Sequence, residues 1–583
     1  VKENQYQSFD GMVLTDTFQL YEQDKDMIAN LLPDNSERRT KQKTRDITVI
    51  VGNPPYSAGQ SSANDNAANA RYENLDKKIE STYAARSSAT SVKDIYDSYI
   101  RAFRWASDRI KGSGVVAFVT GSGWLEKSFA DGMRASLVDE YSSIFVVNLR
   151  GDIRKNMLNK GSNSEGENVF GSGSMSGISI TILVKKETSH ETQIKYFDIG
   201  KGLSKKQKLD ALVNLHSVNG IGDKFELIEP DNENDWLNQG DKRFNGFLPI
   251  GNKKNPTDAI FRTYSLGIAT GRDVWCHNFS RQKLMQNCSL LIDFFNNELE
   301  RYKSSNQTKS VKDFVKVDLS KMSWNRNAFQ DLEKGEKYSI GKGMPVNSLY
   351  RPFIKSNLYF SKELNAMTYQ MGKFFPKKAS RNKLICISGV GSRNGFSALV
   401  TDCIPDLNLM EAGAQSFPLF IYEDSSSLNG LFGTNISDLS PKDGINLTRL
   451  AESALETFDE NISSEDLFHY VYAILHSPEY RRLFENNLSK TLPRIPFTKR
   501  KEIFFEFVDA GLKLGNLHCD YEVAVPFDVH IKQGNLDLTS IEDPKSFFRV
   551  EKMKFAKKGD KSSVIYNKNI TIENIPLEAY EYV

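Results

Sequence analysis

Ile47-Thr48-Val49-Ile50-Val51-Gly52-Asn53-Pro54-Pro55-Tyr56 is the stretch on which the reading of this chain turns. Its first six residues form an apolar, β-branched run closed by glycine, which predicts a short buried strand ending in a tight turn. Proline fixes its own backbone and restricts the residue before it, so a carbonyl can be held outward at this point. Asn53 offers a side-chain oxygen, the Pro54 carbonyl a second acceptor, and Tyr56 a flat stacking face. Two acceptors aimed at one amino group draw its nitrogen from planarity and localise the lone pair. Methylation of an exocyclic amine needs that.

Three further segments stand in order around this loop. Upstream lies Leu14-Thr15-Asp16-Thr17-Phe18-Gln19. Downstream, Asp94-Ile95-Tyr96-Asp97-Ser98-Tyr99 opens a predicted amphipathic helix, followed by Lys111-Gly112-Ser113-Gly114, the strand Val115–Val119 and Gly123-Trp124-Leu125. Later come Glu167-Asn168-Val169-Phe170-Gly171 and the apolar run Gly177–Val184. In these four segments the chain resembles the S-adenosylmethionine-dependent amino-methyltransferases, in particular the N6-adenine DNA methyltransferases. The resemblance implies a catalytic loop at Asn53, Pro54, Pro55 and Tyr56. It implies cofactor contacts at Asp16, Thr17 and Phe18, and a late strand pair, Glu167–Gly171 and Gly177–Val184, lining a target-base pocket walled by Tyr56 and Phe170. For Asp16 a helix cap is an equal reading, and for Phe170 core packing is.

That family carries a glycine-rich strand-to-helix turn ahead of the catalytic loop. Only 52 residues precede Asn53, and Phe9-Asp10-Gly11 lacks the second glycine. The expectation is a C-terminal part of a longer polypeptide, holding an incomplete S-adenosylmethionine site.

The 583 residues suffice for two to four domains, and 39% hydrophobic with 26% charged residues is ordinary for a globular protein. No apolar run reaches membrane-spanning length and nothing at the start resembles a signal peptide. Cys276, Cys288, Cys386, Cys403 and Cys519 lack CxxC spacing, which predicts buried thiols in a reducing cytoplasm and no metal site. All five lie far beyond the Asn-Pro-Pro-Tyr loop. That disfavours carbon-5 cytosine methylation, which needs a thiolate nucleophile.

Net charge is +2, yet residues 301–400 hold 19 basic against 6 acidic side chains, and residues 401–470 hold 2 against 13. Such a split predicts one polyanion-facing surface. Aromatic and amide residues lie among the cations in Trp324–Asn327, Tyr350–Lys355 and Lys373–Lys378, and Ser392-Arg393-Asn394 adds a polar loop. Candidate contacts to double-stranded DNA are Arg272, Arg326, Arg351, Lys355, Lys377, Arg393 and Asn394. Arginine and asparagine suit base edges, lysine phosphate.

The pattern predicts an α/β class: a doubly wound, Rossmann-like methyltransferase core in residues 1–240, followed by a mixed α+β target-recognition region in 241–583. The latter divides into a basic part, 246–425, and a helical segment with a C-terminal extension, 440–583. The run Asp231–Asp235 and Gln239-Gly240-Asp241 reads as the exit from the first domain, residues 277–302 as an amphipathic helix, and Ser425–Gly433 as a turn-rich linker. Segments Gly271-Arg272-Asp273, His277–Ser280, Tyr350–Phe353 and Thr401–Leu407 resemble the C-terminal region of Type ISP restriction-modification enzymes, single chains that join nuclease and helicase-like parts to a methyltransferase. The resemblance implies those parts upstream. Gly335–Gly343 has one residue too many for a phosphate loop and lacks its Ser/Thr. Two alternatives stay open: a non-catalytic DNA specificity module, or methylation of an RNA or protein amine.

Overall fold

The computed structural model describes residues 9, 11–22, 31–55, 72–89, 92–158, 163–171, 175–187, 191–305, 310–422, 445–448, 462–532, 540–550, 552–557 and 559–580. Tyr56 and the expected linker Ser425–Gly433 lie outside them. The chain divides into two compact units, Val1–Gly240 and Asp241–Val583. Both are mixed α/β, the first around a single sheet and the second around several separate ones.

The first unit is built on six strands, β1 (Val49–Gly52), β2 (Gly114–Gly121), β3 (Ser143–Arg150), β4 (Ile178–Lys185), β5 (Gln193–Asp198) and β6 (Glu226–Ile228). Their order is β1-β2-β4-β3-β5-β6. The β1–β2 and β3–β5 pairs are parallel, while β4 runs antiparallel to both its neighbours and β6 antiparallel to β5. Helices α1 (Pro33–Thr44), α2 (Glu73–Ile79), α3 (Ser98–Arg109) and α4 (Asp131–Glu140) belong to this unit. Phe103 of α3 meets Phe118 of β2 and Trp124 at 5.4 Å ring separations, in the core.

Three expectations are corrected here. The run around Val49 was expected to be a buried strand, but among the described residues β1 is an edge strand, with Val49 62% and Val51 76% exposed. Glu167–Gly171 forms turns rather than a strand. The polar run expected to leave the domain instead docks onto it: Asp235 is buried against Arg134, and Trp236 packs edge-on against Trp124 at 5.3 Å.

In the second unit the strands are β7 (Leu248–Pro249), β8 (Ser265–Leu266), β9 (His277–Asn278), β10 (Met344–Arg351), β11 (Ile354–Phe360), β12 (Leu384–Ile387), β13 (Ala398–Thr401), β14 (Ile404–Pro405), β15 (Gln415–Pro418) and β16 (Arg494–Ile495). They form sheets β14-β10-β11-β9 and β13-β12-β15-β8, with a β16-β7 pair. The expected amphipathic helix runs Arg281–Lys303, because residues 277–278 are held as β9. Ser280 caps it by accepting from the Lys283 N–H. A small sheet of residues 530–573 closes the chain.

Helices Ser464–His476 and Lys501–Cys519 pack together with three histidines between apolar neighbours. Burial lowers His469 and His518 to about 4 and His476 to about 3. The Tyr472 hydroxyl pairs with His518 Nδ1, and Arg481 donates to His476 Nδ1 at 3.3 Å. A folded-state pKa below the unfolded value of about 6.5 means stability is full above pH 6.5 and is lost as pH falls toward 4. Each histidine then withdraws about 1.4 kcal/mol per pH unit in that window. Thermal unfolding followed at pH 7.5 and 5.5 is expected to show a clear drop in midpoint, reduced by His518→Gln. Equal midpoints would contradict burial of the three rings as neutral species.

Candidate functional site

Where β1 ends, Gly52 lies against Phe118, so close that a side chain there would stand 3.1 Å from the ring. The chain then turns through Asn53, Pro54 and Pro55 into a cavity of about 800 Å³ in the first unit. The strap of residues 11–18 brings Asp16, Thr17 and Phe18 into the lining of the same cavity. Sequence positions more than thirty residues apart therefore share one space.

The strap is fixed by polar clamps. Buried Asn35 on α1 accepts from the Leu14 N–H at 2.8 Å and donates to its carbonyl at 2.9 Å. Arg39 Nε donates to the Thr15 hydroxyl at 3.2 Å. The Glu22 carboxylate takes the first N–H groups of α2, from Asn74 and Leu75, each at 3.0 Å. Tyr21 donates to Asp108 at 2.7 Å.

Asp16 accepts from the Phe18 N–H at 3.0 Å and from the Tyr72 hydroxyl at 2.8 Å. Burial and the Asp16 carboxylate hold the Tyr72 phenol well above its ordinary pKa, so it stays a donor. The Tyr72 ring meets Phe18 edge-on at 5.2 Å and carries the Arg101 guanidinium 5.3 Å from its centroid. Arg101 in turn grips both oxygens of Asp76, at 2.8 and 2.9 Å. Each Asp16 oxygen keeps a further lone pair. The site thus combines a fixed carboxylate, aromatic walls from Phe18, Tyr72, Tyr96 and Trp105, and an exposed amide at Asn53. Such a set can hold a flat, amine-bearing ring.

Phe170 is 46% exposed and is not among the residues lining this cavity. Asn168 holds it outward, accepting from the Phe170 N–H at 2.9 Å while donating to Gly151 and Ser176 carbonyls. Buried Lys208 supports the same turn, donating to the carbonyls of Glu165 at 2.9 Å and Glu167 at 2.7 Å.

The second unit holds a recess of about 220 Å³ whose rim carries Arg281, Lys355, Lys377 and Lys378, with Asn347 and Asn357, against a single acid, Asp402. Of the residues expected to meet DNA, Arg326, Lys377, Arg393 and Asn394 are exposed. Arg393 pairs with Glu411. Lys355 donates to the Cys519 carbonyl at 2.7 Å, and Arg351 to Asp406 at 2.8 Å. Arg272 corrects the expectation. It is 2% exposed, and its guanidinium is spent inside the protein on Ser323, Leu364 and Asn325. A basic count along a sequence does not show which guanidinium faces inward. Arg281 and Lys378 also line the recess; Lys378 belongs to the segment Lys373–Lys378, whereas Arg281 lies outside the basic block of residues 301–400.

No curated protein matches the chain. Among solved structures, it is 35% identical to a nuclease-deletion mutant of the Type ISP restriction-modification enzyme LlaGI in complex with a DNA substrate mimic, with a TM-score of 0.76 over 100% of this chain and 43% of that one. It is 35% identical to the ATP-dependent Type ISP restriction-modification enzyme LlaBIII bound to DNA (TM-score 0.77, 100% and 36% covered). With DrdV in a DNA complex the identity is 30% and the TM-score 0.75, with 99% and 55% covered. The chain therefore spans 36% to 55% of the length of these proteins. Residues 259–583 match the Type ISP C-terminal specificity domain, and the chain belongs to that family.

Proposed function

We propose that this chain reads a specific double-stranded DNA site and methylates the N6 amine of an adenine within it, as part of a larger cytoplasmic restriction-modification enzyme. The observation that carries this reading is the one cavity shared by Asp16–Phe18 and Asn53–Pro55. S-adenosylmethionine suits the donor set: Asp16 would accept from its adenine amine, with the Phe18–Tyr72 pair offering an aromatic wall beside the ring. The cavity volume is within the roughly 300–1,000 Å³ of small-molecule sites. When bound, that cofactor supplies an electrophilic methyl group on a sulfonium.

The residues of the chain do the rest. An adenine extruded from the duplex stacks on Tyr56. Asn53 Oδ1 and the Pro54 carbonyl accept its two amine hydrogens, which localises the nitrogen lone pair. Positioning replaces base catalysis, and the surplus proton passes from nitrogen to water. The bare apolar edge of β1 supports further strands supplied by an upstream part of the polypeptide, with nuclease and helicase-like parts beyond it.

In the longer polypeptide, labelled S-adenosylmethionine is expected to label duplex DNA and to leave RNA and protein acceptors unlabelled. Label on RNA or protein in place of DNA would replace this reading; sequence-specific binding without any label would reduce the chain to a specificity module. The basic recess is read as a phosphate-binding surface. Arg281→Ala, Lys377→Ala and Lys378→Ala together are expected to weaken specific and non-specific DNA binding alike. The log–log salt slope should fall by about 0.9 for each phosphate that the variant leaves unneutralised. An unchanged slope would remove the recess from the DNA interface.

A further inference from the structure

Three segments of the second unit, far apart in sequence, meet at one point. Asp273 opens the short helix Asp273–Cys276, His277 begins β9, and Asp406 follows β14. Each offers a ligand atom, and those atoms lie within 4.8 Å of one another. His277 is 8% exposed and Asp406 2% exposed. The Nδ1 of His277 is engaged by the Ser356 hydroxyl at 2.9 Å. Its Nε2 is buried without a hydrogen-bond partner and stands 3.8 Å from Asp406 Oδ2, too far for a hydrogen bond.

Both carboxylates are oriented from outside the cluster. Asp406 Oδ1 accepts from Arg351 and from the Asn408 N–H, each at 2.8 Å, which leaves Oδ2 turned to the histidine. Asp273 accepts from the Thr270 hydroxyl on one oxygen and from the Tyr350 hydroxyl on the other, at 3.0 Å. Arg351 Nη2 is 4.0 Å from the latter. Two carboxylates thus face one guanidinium and a neutral imidazole, and the cluster is short of positive charge. A histidine fixed through one nitrogen, with the other free toward oriented carboxylates, is the outer-shell arrangement that holds metal ligands in place.

We propose that Asp273, His277 and Asp406 bind a first-row divalent cation, zinc or manganese, through one nitrogen and two carboxylate oxygens. Imidazole with carboxylate suits these ions. Bonds of about 2.0–2.2 Å require the three side chains to draw inward by rotation. The bound ion ties the helix Asp273–Cys276 and β9 to the turn after β14, and β9 and β14 share one sheet with β10 and β11. β11 carries Lys355 and Asn357 into the basic recess, so the cation also stiffens that surface.

The test uses the full-length protein, stripped with chelator and titrated with cobalt(II) as a coloured stand-in. One equivalent is expected to produce visible d–d absorption that zinc abolishes, and zinc or manganese is expected to raise the thermal midpoint. His277→Gln and Asp406→Asn should lose both responses, while His530→Ala, at an exposed histidine beside Glu573, retains them. The wild-type titration decides even where a variant fails to fold. Absence of absorption and of any midpoint shift overturns the proposal. So does a signal that survives His277→Gln, or a cluster that responds to protons alone.

Discussion

Asn53→Ala is expected to cut methyl transfer to DNA by on the order of 10²–10³ fold in kcat, with affinity for the target site unchanged. Asn53 lines the same cavity as the Asp16 strap, and under the proposed mechanism its oxygen is one of only two acceptors on the reacting amine. With the Pro54 carbonyl alone, the amine stays conjugated with the ring and its lone pair stays delocalised. Binding draws instead on contacts over the second unit, so it persists. Single-turnover methylation alongside a binding titration separates the two. Equal loss of both would mean that the loop grips DNA rather than serving the chemistry.

Arg134→Ala carries the largest expected cost in stability, about 3–5 kcal/mol for the first unit. The guanidinium is fully buried in α4. It donates to the carbonyls of Asn234 at 2.7 Å, Trp124 at 2.8 Å and Lys127 at 3.0 Å, and to Asp235 at 2.6 Å. Removing it strands the Asp235 carboxylate without its charge partner and unties residues 231–237, which bring Trp236 onto Trp124. Denaturant unfolding should show the loss, and Lys at this position should restore little, since a point charge cannot serve a forked set of acceptors. A shift below about 1 kcal/mol, the size of an exposed ion pair, would contradict this account.

The loop Asn53–Pro55 and the strap Asp16–Phe18 were legible in the sequence because proline, amide and carboxylate each have few local roles. Their convergence on one cavity was not, since it depends on Asn35 of α1 clamping the strap and on Glu22, just after it, accepting from the start of α2. The bare edge of β1 escaped because an apolar run reads alike whether its edge is paired or open. Asp231–Asp235 read as an exit because composition does not reveal that Arg134, about a hundred residues earlier, waits to bury Asp235. For the same reason Arg272 read as a DNA contact. Its acceptors are two backbone carbonyls and Asn325, none marked in sequence. His277 and Asp406 stand more than a hundred residues apart and follow no ligand spacing, and only the pairing of β9, β10, β11 and β14 brings them together.

Nucleoside mass spectrometry of duplex DNA, after incubation with S-adenosylmethionine and the complete polypeptide that contains this chain, tests the central claim most directly. The account predicts N6-methyladenine at one sequence, absent with Asn53→Ala. Methylcytosine, or unmodified DNA from an enzyme that binds its site tightly, would contradict it.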